Sequence, residues 1–233
     1  DGEFIIVDPA VRMREDMEAL ATAVERHRGE LKAILFTHSH GDHLADMSLL
    51  REAFDVPVWG SDYTAKSVPC QRVLTDGETL TLGRQNWTVL ITPGHHPGHV
   101  CLFSEAGLVA GDMLAGIGTI LIPPHTGDMN EYLLQLERLK ALKPHLVFPS
   151  HGPVVAIPDR LIDHYLSHRR ARHARVLEAV RNGASQLVKV AEEAYADTPD
   201  AHPGLAVDQT LSHLRALAAD GTVCEENGTW RTN

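Results

Sequence analysis

Thr37-His38-Ser39-His40-Gly41-Asp42-His43 follows directly on the apolar run Leu31 to Phe36. Three imidazoles and one carboxylate fall within six residues. Neutral imidazole and carboxylate are the donor set of zinc and related divalent metals. The apolar run reads as a buried strand, and a strand that ends in a ligand-rich loop holds such groups rigidly at a surface cleft. The chain carries 15 His in 233 residues, so one His-rich loop is weak evidence alone. Three more turns of the same kind change its weight. They are Thr92-Pro93-Gly94-His95-His96-Pro97-Gly98-His99, Gly111-Asp112 and Ser150-His151-Gly152-Pro153, each after an apolar run. Pro and Gly fix tight turns that present imidazole at a strand end. Gly also lets the backbone approach closely, and Asp is able to bridge two cations.

Working outward, strands and helices alternate. Phe4 to Val7 reads as a strand ending at Asp8-Pro9, and Met13 to Arg28 as an amphipathic helix stopped by Gly29. Asp46 to Phe54 is a short helix with Asp46 as N-cap, and Val56 to Trp59 a strand. Gly77 to Leu82, Trp87 to Ile91, Val100 to Phe103, Gly107 to Ala110 and Leu146 to Phe148 are further strands, with a helix over Asn130 to Leu142. This alternation predicts a sheet core with helices outside, and ligand turns that converge at one edge. After Pro158 the pattern changes to helices over Asp159 to Arg181, Leu187 to Tyr195 and Asp208 to Ala219. Thr222 to Cys224 and Thr229 to Arg231 then flank Asn227-Gly228, a hairpin signal. The expected organisation is a catalytic domain over residues 1–158 and a small helical, winged-helix-like domain over 159–233.

Composition narrows the classes. The apolar fraction of 43% and charged fraction of 22% are ordinary for a globular protein. No apolar run approaches the roughly 20 residues needed to span a bilayer. Three widely spaced Cys, none in a CxxC unit, argue against a disulfide framework and for a reducing compartment, cytoplasm or an organellar matrix. The chain opens in a strand already under way, so native N-terminal strands are expected to be missing from it. The net charge of −10 disfavours nonspecific attraction to polyanions. Arg160 to Asn233 carries nine Lys/Arg against ten Asp/Glu, so the negative charge is concentrated in the first 159 residues. Apolar helix faces in the C-terminal region leave room for a homo-oligomer.

His38-x-His40-x-Asp42-His43, with His95, Asp112 and His151, resembles the metal-ligand set of the metallo-β-lactamase superfamily over residues 1 to about 158. The resemblance implies an αβ/βα four-layer sandwich with a two-metal site at one edge. It implies that His38, His40 and His95 hold one ion, that Asp42, His43 and His151 hold the other, and that Asp112 bridges them. Two Zn²⁺ are the expected cofactors, with Mn or Fe as alternatives. The family's pattern makes His95 the ligand of its turn; His99 is expected to support the loop, and His96 to face substrate or solvent. Asp8 resembles an early family Asp that hydrogen-bonds a metal-bound imidazole. A metal lowers the pKa of bound water to about 7, so hydroxide is available at neutral pH. Asp42 is the expected catalytic residue, binding metal and aiming the hydroxide lone pair. No separate Ser-His-Asp nucleophile is visible, so attack without a covalent enzyme intermediate is expected.

The superfamily hosts many chemistries, so fold does not decide substrate. His40 in place of Glu argues against the di-iron flavoprotein type, and the short stretch from Asp112 to His151 excludes a β-CASP insertion. Met113-Leu114-Ala115-Gly116 is unlike the corresponding glyoxalase II segment. Gly116-Ile117-Gly118-Thr119, Gly127-Asp128-Met129-Asn130-Glu131-Tyr132-Leu133, Pro149-Ser150-His151-Gly152-Pro153 and Tyr165-Leu166-Ser167-His168-Arg169 resemble the β-lactamase-like endoribonuclease group. That resemblance implies single-stranded RNA as substrate, with Arg169, Arg170, Arg172 and Arg175 as phosphate contacts or simply a solvated helix face. The acidity and the low aromatic content of 5% favour the alternative, a small-molecule thioester or ester hydrolase. A non-catalytic nucleic-acid-binding protein is the third reading.

Overall fold

The computed structural model describes residues 2–233 and divides into two units. The first comprises residues 2–92, 98–112 and 144–156. It holds β1 (Glu3–Val7), α1 (Arg14–Arg26), β2 (Glu30–Leu35), α2 (Met47–Ala53), β3 (Val58–Gly60) and β4 (Arg72–Val73). It continues with β5 (Thr79–Leu82), β6 (Gln85–Ile91), β7 (Val100–Ser104), β8 (Gly107–Gly111) and β9 (Val147–Pro149). Strands β1 to β4 form a parallel sheet in chain order, and β5 to β9 a second sheet that is antiparallel except for the parallel pair β8–β9.

Strand β2 shows why the layers stack. Successive side chains point to opposite faces, so Ile34 and Phe36 share one face and Ala33 and Leu35 the other. The first pair packs with Met17, Leu50 and Val58 beneath α1 and α2. The second joins Trp59, Leu80, Val89 and Leu102 between the two sheets. Both faces are covered, as the unbroken apolar run requires. Leu35 and Phe36 are fully buried, and each such side chain contributes about 1.5–3 kcal/mol. Asp46 caps α2, its carboxylate accepting from the amides of Ser48 at 2.8 Å and Leu49 at 3.1 Å.

The second unit comprises residues 93–97, 113–143 and 157–233. It holds α3 (Met129–Ala141), α4 (Pro158–Arg181), α5 (Leu187–Ala194), α6 (Pro203–Ala219) and the antiparallel hairpin β10 (Val223–Glu226) and β11 (Thr229–Thr232). Its core gathers Val176, Val180, Val190, Leu214, Leu217, Val223 and Trp230. Met113 to Lys143, with α3, groups with the C-terminal helices that begin after Ile157. Helix α6 starts five residues earlier than the sequence pattern indicates. Pro203 at the first helical turn loses no hydrogen bond, so the helix extends before the apolar pattern. Asn227 and Gly228 both take positive φ, 53° and 76°, as a tight two-residue hairpin turn demands. Among the described residues no helix is long and apolar enough to cross a membrane, and the three cysteines are unbridged.

Candidate metal centre

The chain delivers its chemistry at the C-terminal ends of strands. Asp8 follows β1, His38 follows β2, Thr92 follows β6, Asp112 follows β8 and His151 follows β9. Strands β1 and β2 are parallel, as are β8 and β9, so each pair ends on one side. Within the first unit this brings Asp42, His43 and His151 together, their ligand atoms all within 4.8 Å of one another; Asp8, His38 and His43 form a second such group. His151 Nε2 stands 3.3 Å from Asp112 Oδ1 and 3.6 Å from Asp42 Oδ2. His43 Nε2 stands 3.5 Å from Asp112 Oδ2 and 3.9 Å from Asp42 Oδ1. His38 Nε2 lies 3.0 Å from His40 Nδ1.

The ring orientations fit a cation. Asp8 Oδ2 accepts the Thr37 hydroxyl at 2.6 Å, so His38 Nδ1–H donates to Thr37 Oγ1 at 3.0 Å and its Nε2 carries the lone pair. The same Asp8 oxygen accepts His43 Nδ1–H at 2.9 Å. Such bonds fix the tautomer and orientation of metal-binding imidazoles. His43 Nε2 is buried without a hydrogen-bond partner and faces two carboxylates. Donor atoms about 2.0–2.2 Å from one tetrahedral ion stand roughly 3.3–3.6 Å apart, which matches the separations of His151 Nε2 and His43 Nε2 from the Asp112 oxygens, 3.3 Å and 3.5 Å. Electrostatics agree. Burial disfavours a charged His43 ring, yet Asp112 and Asp8 outweigh it and push the ring up to about 10. Two carboxylates that hold a proton this firmly form a site that wants positive charge. Burial, against the pull of Asp42 and Asp112, lowers His40.

Asp8 takes φ of +46°, a left-handed conformation that costs a non-glycine residue about 1–3 kcal/mol and that clusters at functional sites. Its carboxylate also accepts the Thr37 amide at 2.7 Å and the Ser150 hydroxyl at 3.2 Å, tying β1, β2 and the His151 turn to one group. A cavity of about 370 Å³ opens beside it, lined by Asp8, Asp42, His43 and His151 and by apolar Val109 and Phe148.

His95 lies on the 93–97 segment, where its Nδ1–H donates to the Leu121 carbonyl at 2.6 Å, so its Nε2 also carries the lone pair. His96 is buried, which removes the reading that it faces solvent. His99 braces the turn, bonding Thr92 through its ring at 2.8 Å and its carbonyl at 2.9 Å. The basic stripe of α4 needs correction. Arg169 and Arg172 are buried and neither contacts solvent phosphate nor forms a solvated face. Arg169 donates to Gln209 at 2.8 Å, to Thr119 at 3.0 Å and to the Ile120 carbonyl. Arg172 pairs with Asp197 at 2.9 Å, donates to the Ala194 carbonyl and stacks on Tyr195. Arg175 bonds the carbonyl of Ala194 at 2.8 Å, and only Arg170, paired with Glu137, stands well exposed. Sequence reading missed Thr37 and Ser150, whose signal was adjacency to ligand positions.

A family model described as Metallo-beta-lactamase superfamily matches residues 1–151. The Beta-lactamase-like protein 2 homolog of Caenorhabditis elegans is 26% identical over 228 residues, 94% of this chain and 76% of that protein. A hydroxyacylglutathione hydrolase of Yersinia pestis is 36% identical over 141 residues, 59% of this chain and 52% of that enzyme. Among solved structures, a beta-lactamase domain protein from Burkholderia ambifaria superposes with a TM-score of 0.84 at 23% identity, covering 98% of this chain and 82% of that one, a likeness of fold.

Proposed function

Because the chain belongs to the metallo-beta-lactamase superfamily and is a metal-dependent hydrolase, we propose that it hydrolyses a small thioester or ester at a dinuclear zinc site. His38, His40 and His95 would hold one ion, Asp42, His43 and His151 the other, and Asp112 would bridge them. The observation that carries the metal assignment is the pairing of His43 Nε2 and His151 Nε2, each facing both Asp42 and Asp112. His95 joins the proposed set on the resemblance of Thr92-Pro93-Gly94-His95 to the ligand turn of the family. The ions, when bound, supply Lewis acidity and lower the pKa of a water to about 7.

The chain's own residues do the rest. Asp42, the exposed carboxylate of the set, accepts a hydrogen bond from the attacking water and aims its lone pair at the acyl carbon. Asp8 keeps the His43 ring from rotating. Val7, Val109, Phe148 and Pro149 give the adjoining cavity an apolar wall, and its volume suits a small ligand. Acidity, the structural use of Arg169 and Arg172, and the hydroxyacylglutathione hydrolase relative support a small acyl substrate over a polyanion. Single-stranded RNA is the second reading, supported by the resemblance of residues from 111 onward to the endoribonuclease group.

The test is metal analysis followed by turnover on a thioester panel and on labelled RNA, wild type beside Asp42→Ala. Two zinc ions per chain and thioester turnover that drops about 10²–10⁴-fold in the variant are expected. Metal-dependent RNA cleavage without thioester turnover would overturn the substrate, and a chain that refuses zinc would overturn the site.

A further inference from the structure

Gly111 carries β8 into Asp112 with φ of +50°, and a Cβ there would stand 2.5 Å from His99 Nε2 and 2.8 Å from its Cε1. The imidazole sits that close because it is bonded to the turn. The Asp112 amide N–H donates to His99 Nε2 at 2.9 Å. A backbone amide only donates, so Nε2 holds the lone pair and the ring proton is on Nδ1. Nδ1–H therefore donates to Thr92 Oγ1 at 2.8 Å. That turns the threonine hydroxyl proton toward Cys101 Sγ at 3.4 Å, and the thiol in turn donates to the Ala110 carbonyl at 3.4 Å. The chain leaves the backbone at Asp112 and returns to it at Ala110, enclosing Gly111. Followed from the Asp112 amide, the bonds run through His99, Thr92 and Cys101 to the Ala110 carbonyl. Thr92, His99 and Cys101 are all fully buried, so water does not compete for these bonds.

We propose that His99 is a positioning residue: a neutral, Nδ1-protonated imidazole that clamps the Ala110–Asp112 turn and so aims the Asp112 carboxylate at His43 and His151. The proposal rests on the metal-site reading above. It also explains why His99 is not itself a ligand, since the nitrogen a cation would need is occupied by the Asp112 amide. Both Asp112 oxygens face imidazole nitrogens, at 3.3 Å and 3.5 Å, and a swing of the turn would misdirect both at once. Thr92 and Cys101 serve the same turn through His99. The thiol has a fixed role as a protonated donor, which makes it an inert cysteine.

The experiment compares the wild-type chain with His99→Phe, His99→Gln and Thr92→Val. Zinc affinity is read by chelator competition, and the cobalt-substituted proteins are followed by visible absorption. Phe keeps a ring but cannot accept the amide, whereas Gln offers an oxygen at the end of a similar reach. His99→Phe should bind the more weakly held zinc 10–100-fold less tightly and change the cobalt spectrum, as loss of a partner that orients a ligand does. His99→Gln should recover much of the affinity, and Thr92→Val should shift it in the same direction as Phe by less. Wild-type affinity for both ions in His99→Phe would overturn the clamp. A wild type that binds no zinc would instead overturn the metal site. Should His99→Phe fail to fold, nitrogen-15 spectra of the wild type decide the matter. A ring protonated on Nδ1 supports the clamp, and one protonated on Nε2 overturns it.

Discussion

Two histidine clusters, one in each unit, have opposite electrostatics. In the first unit His43 lies among Asp8, Asp42 and Asp112, and carboxylates raise its ring to about 10. In the second, His213 is fully buried with its Nδ1 3.2 Å from that of His173. There burial, followed by the positive fields of Arg169, His173 and Arg172, holds the ring well below its ordinary value. Each cluster contains a buried Nε2 without a hydrogen-bond partner. An orphaned imidazole nitrogen therefore does not mark a metal site. The sign of the charges around it does, because a cation replaces a proton only where the surroundings favour positive charge.

The largest expected effect tests the cation-repelling side. Among the described residues Arg169 has no carboxylate partner; it is held by Gln209, Thr119 and the Ile120 carbonyl. Arg169→Leu would strip the buried Ile120 carbonyl of its guanidinium donor and leave Gln209 Oε1 only the Ile122 amide, and should cost about 3 kcal/mol in urea unfolding. It also removes a positive neighbour of His213, whose ring should climb toward ordinary titration by NMR. A variant of wild-type stability would return Arg169 to the surface role its sequence suggests. The next effect tests the cation-attracting side. Asp8→Asn keeps the shape and removes the charge, so the His43 ring should fall from about 10 and zinc affinity should drop 10–100-fold by chelator competition. Unchanged affinity would show that the charge of Asp8 is not what distinguishes this cluster.

These two sides were unequally legible in the sequence. His38, Asp42, His43, Asp112 and His151 stood out because each follows an apolar strand within a few residues, and strand ends are local features. The β2 run disclosed its own double burial for the same reason. Arg169 and Arg172 misled because their environment is set far along the chain, by Gln209 40 residues on and by the Ala194–Thr198 segment. A basic run on a helix looks alike whether solvated or buried. The order Thr92, His99, Cys101, Ala110 was hidden likewise, since it exists only once β6, β7 and β8 are paired in register. Helix α6 begins at Pro203 rather than Asp208 because Pro fits the first helical turn, and the hydrophobic pattern alone does not locate that turn.

The smallest effect separates the clusters by pH in protein stripped with chelator. An unfolded histidine titrates near 6.5. His43 is raised, so its contribution is fully present below 6.5 and is lost as pH rises through about 10. His213 and His173 are lowered, by burial first in both, with Asp220 opposing the shift in His173. Above pH 6.5 they are neutral whether folded or not and contribute no slope. Below it the unfolded chain binds protons that the folded chain refuses, so stability falls by about 1.4 kcal/mol per pH unit per ring. Hydrogen exchange resolves the two units. Amides of β2 should be better protected at pH 6.5 than at pH 9 after correction for intrinsic rates, and amides of α6 less protected at pH 5.5 than at pH 7. His213→Asn removes one titrating ring and should flatten only the second trend. If it flattens neither, or if both units lose protection in the same direction, the charges around the rings are not what distinguishes the clusters.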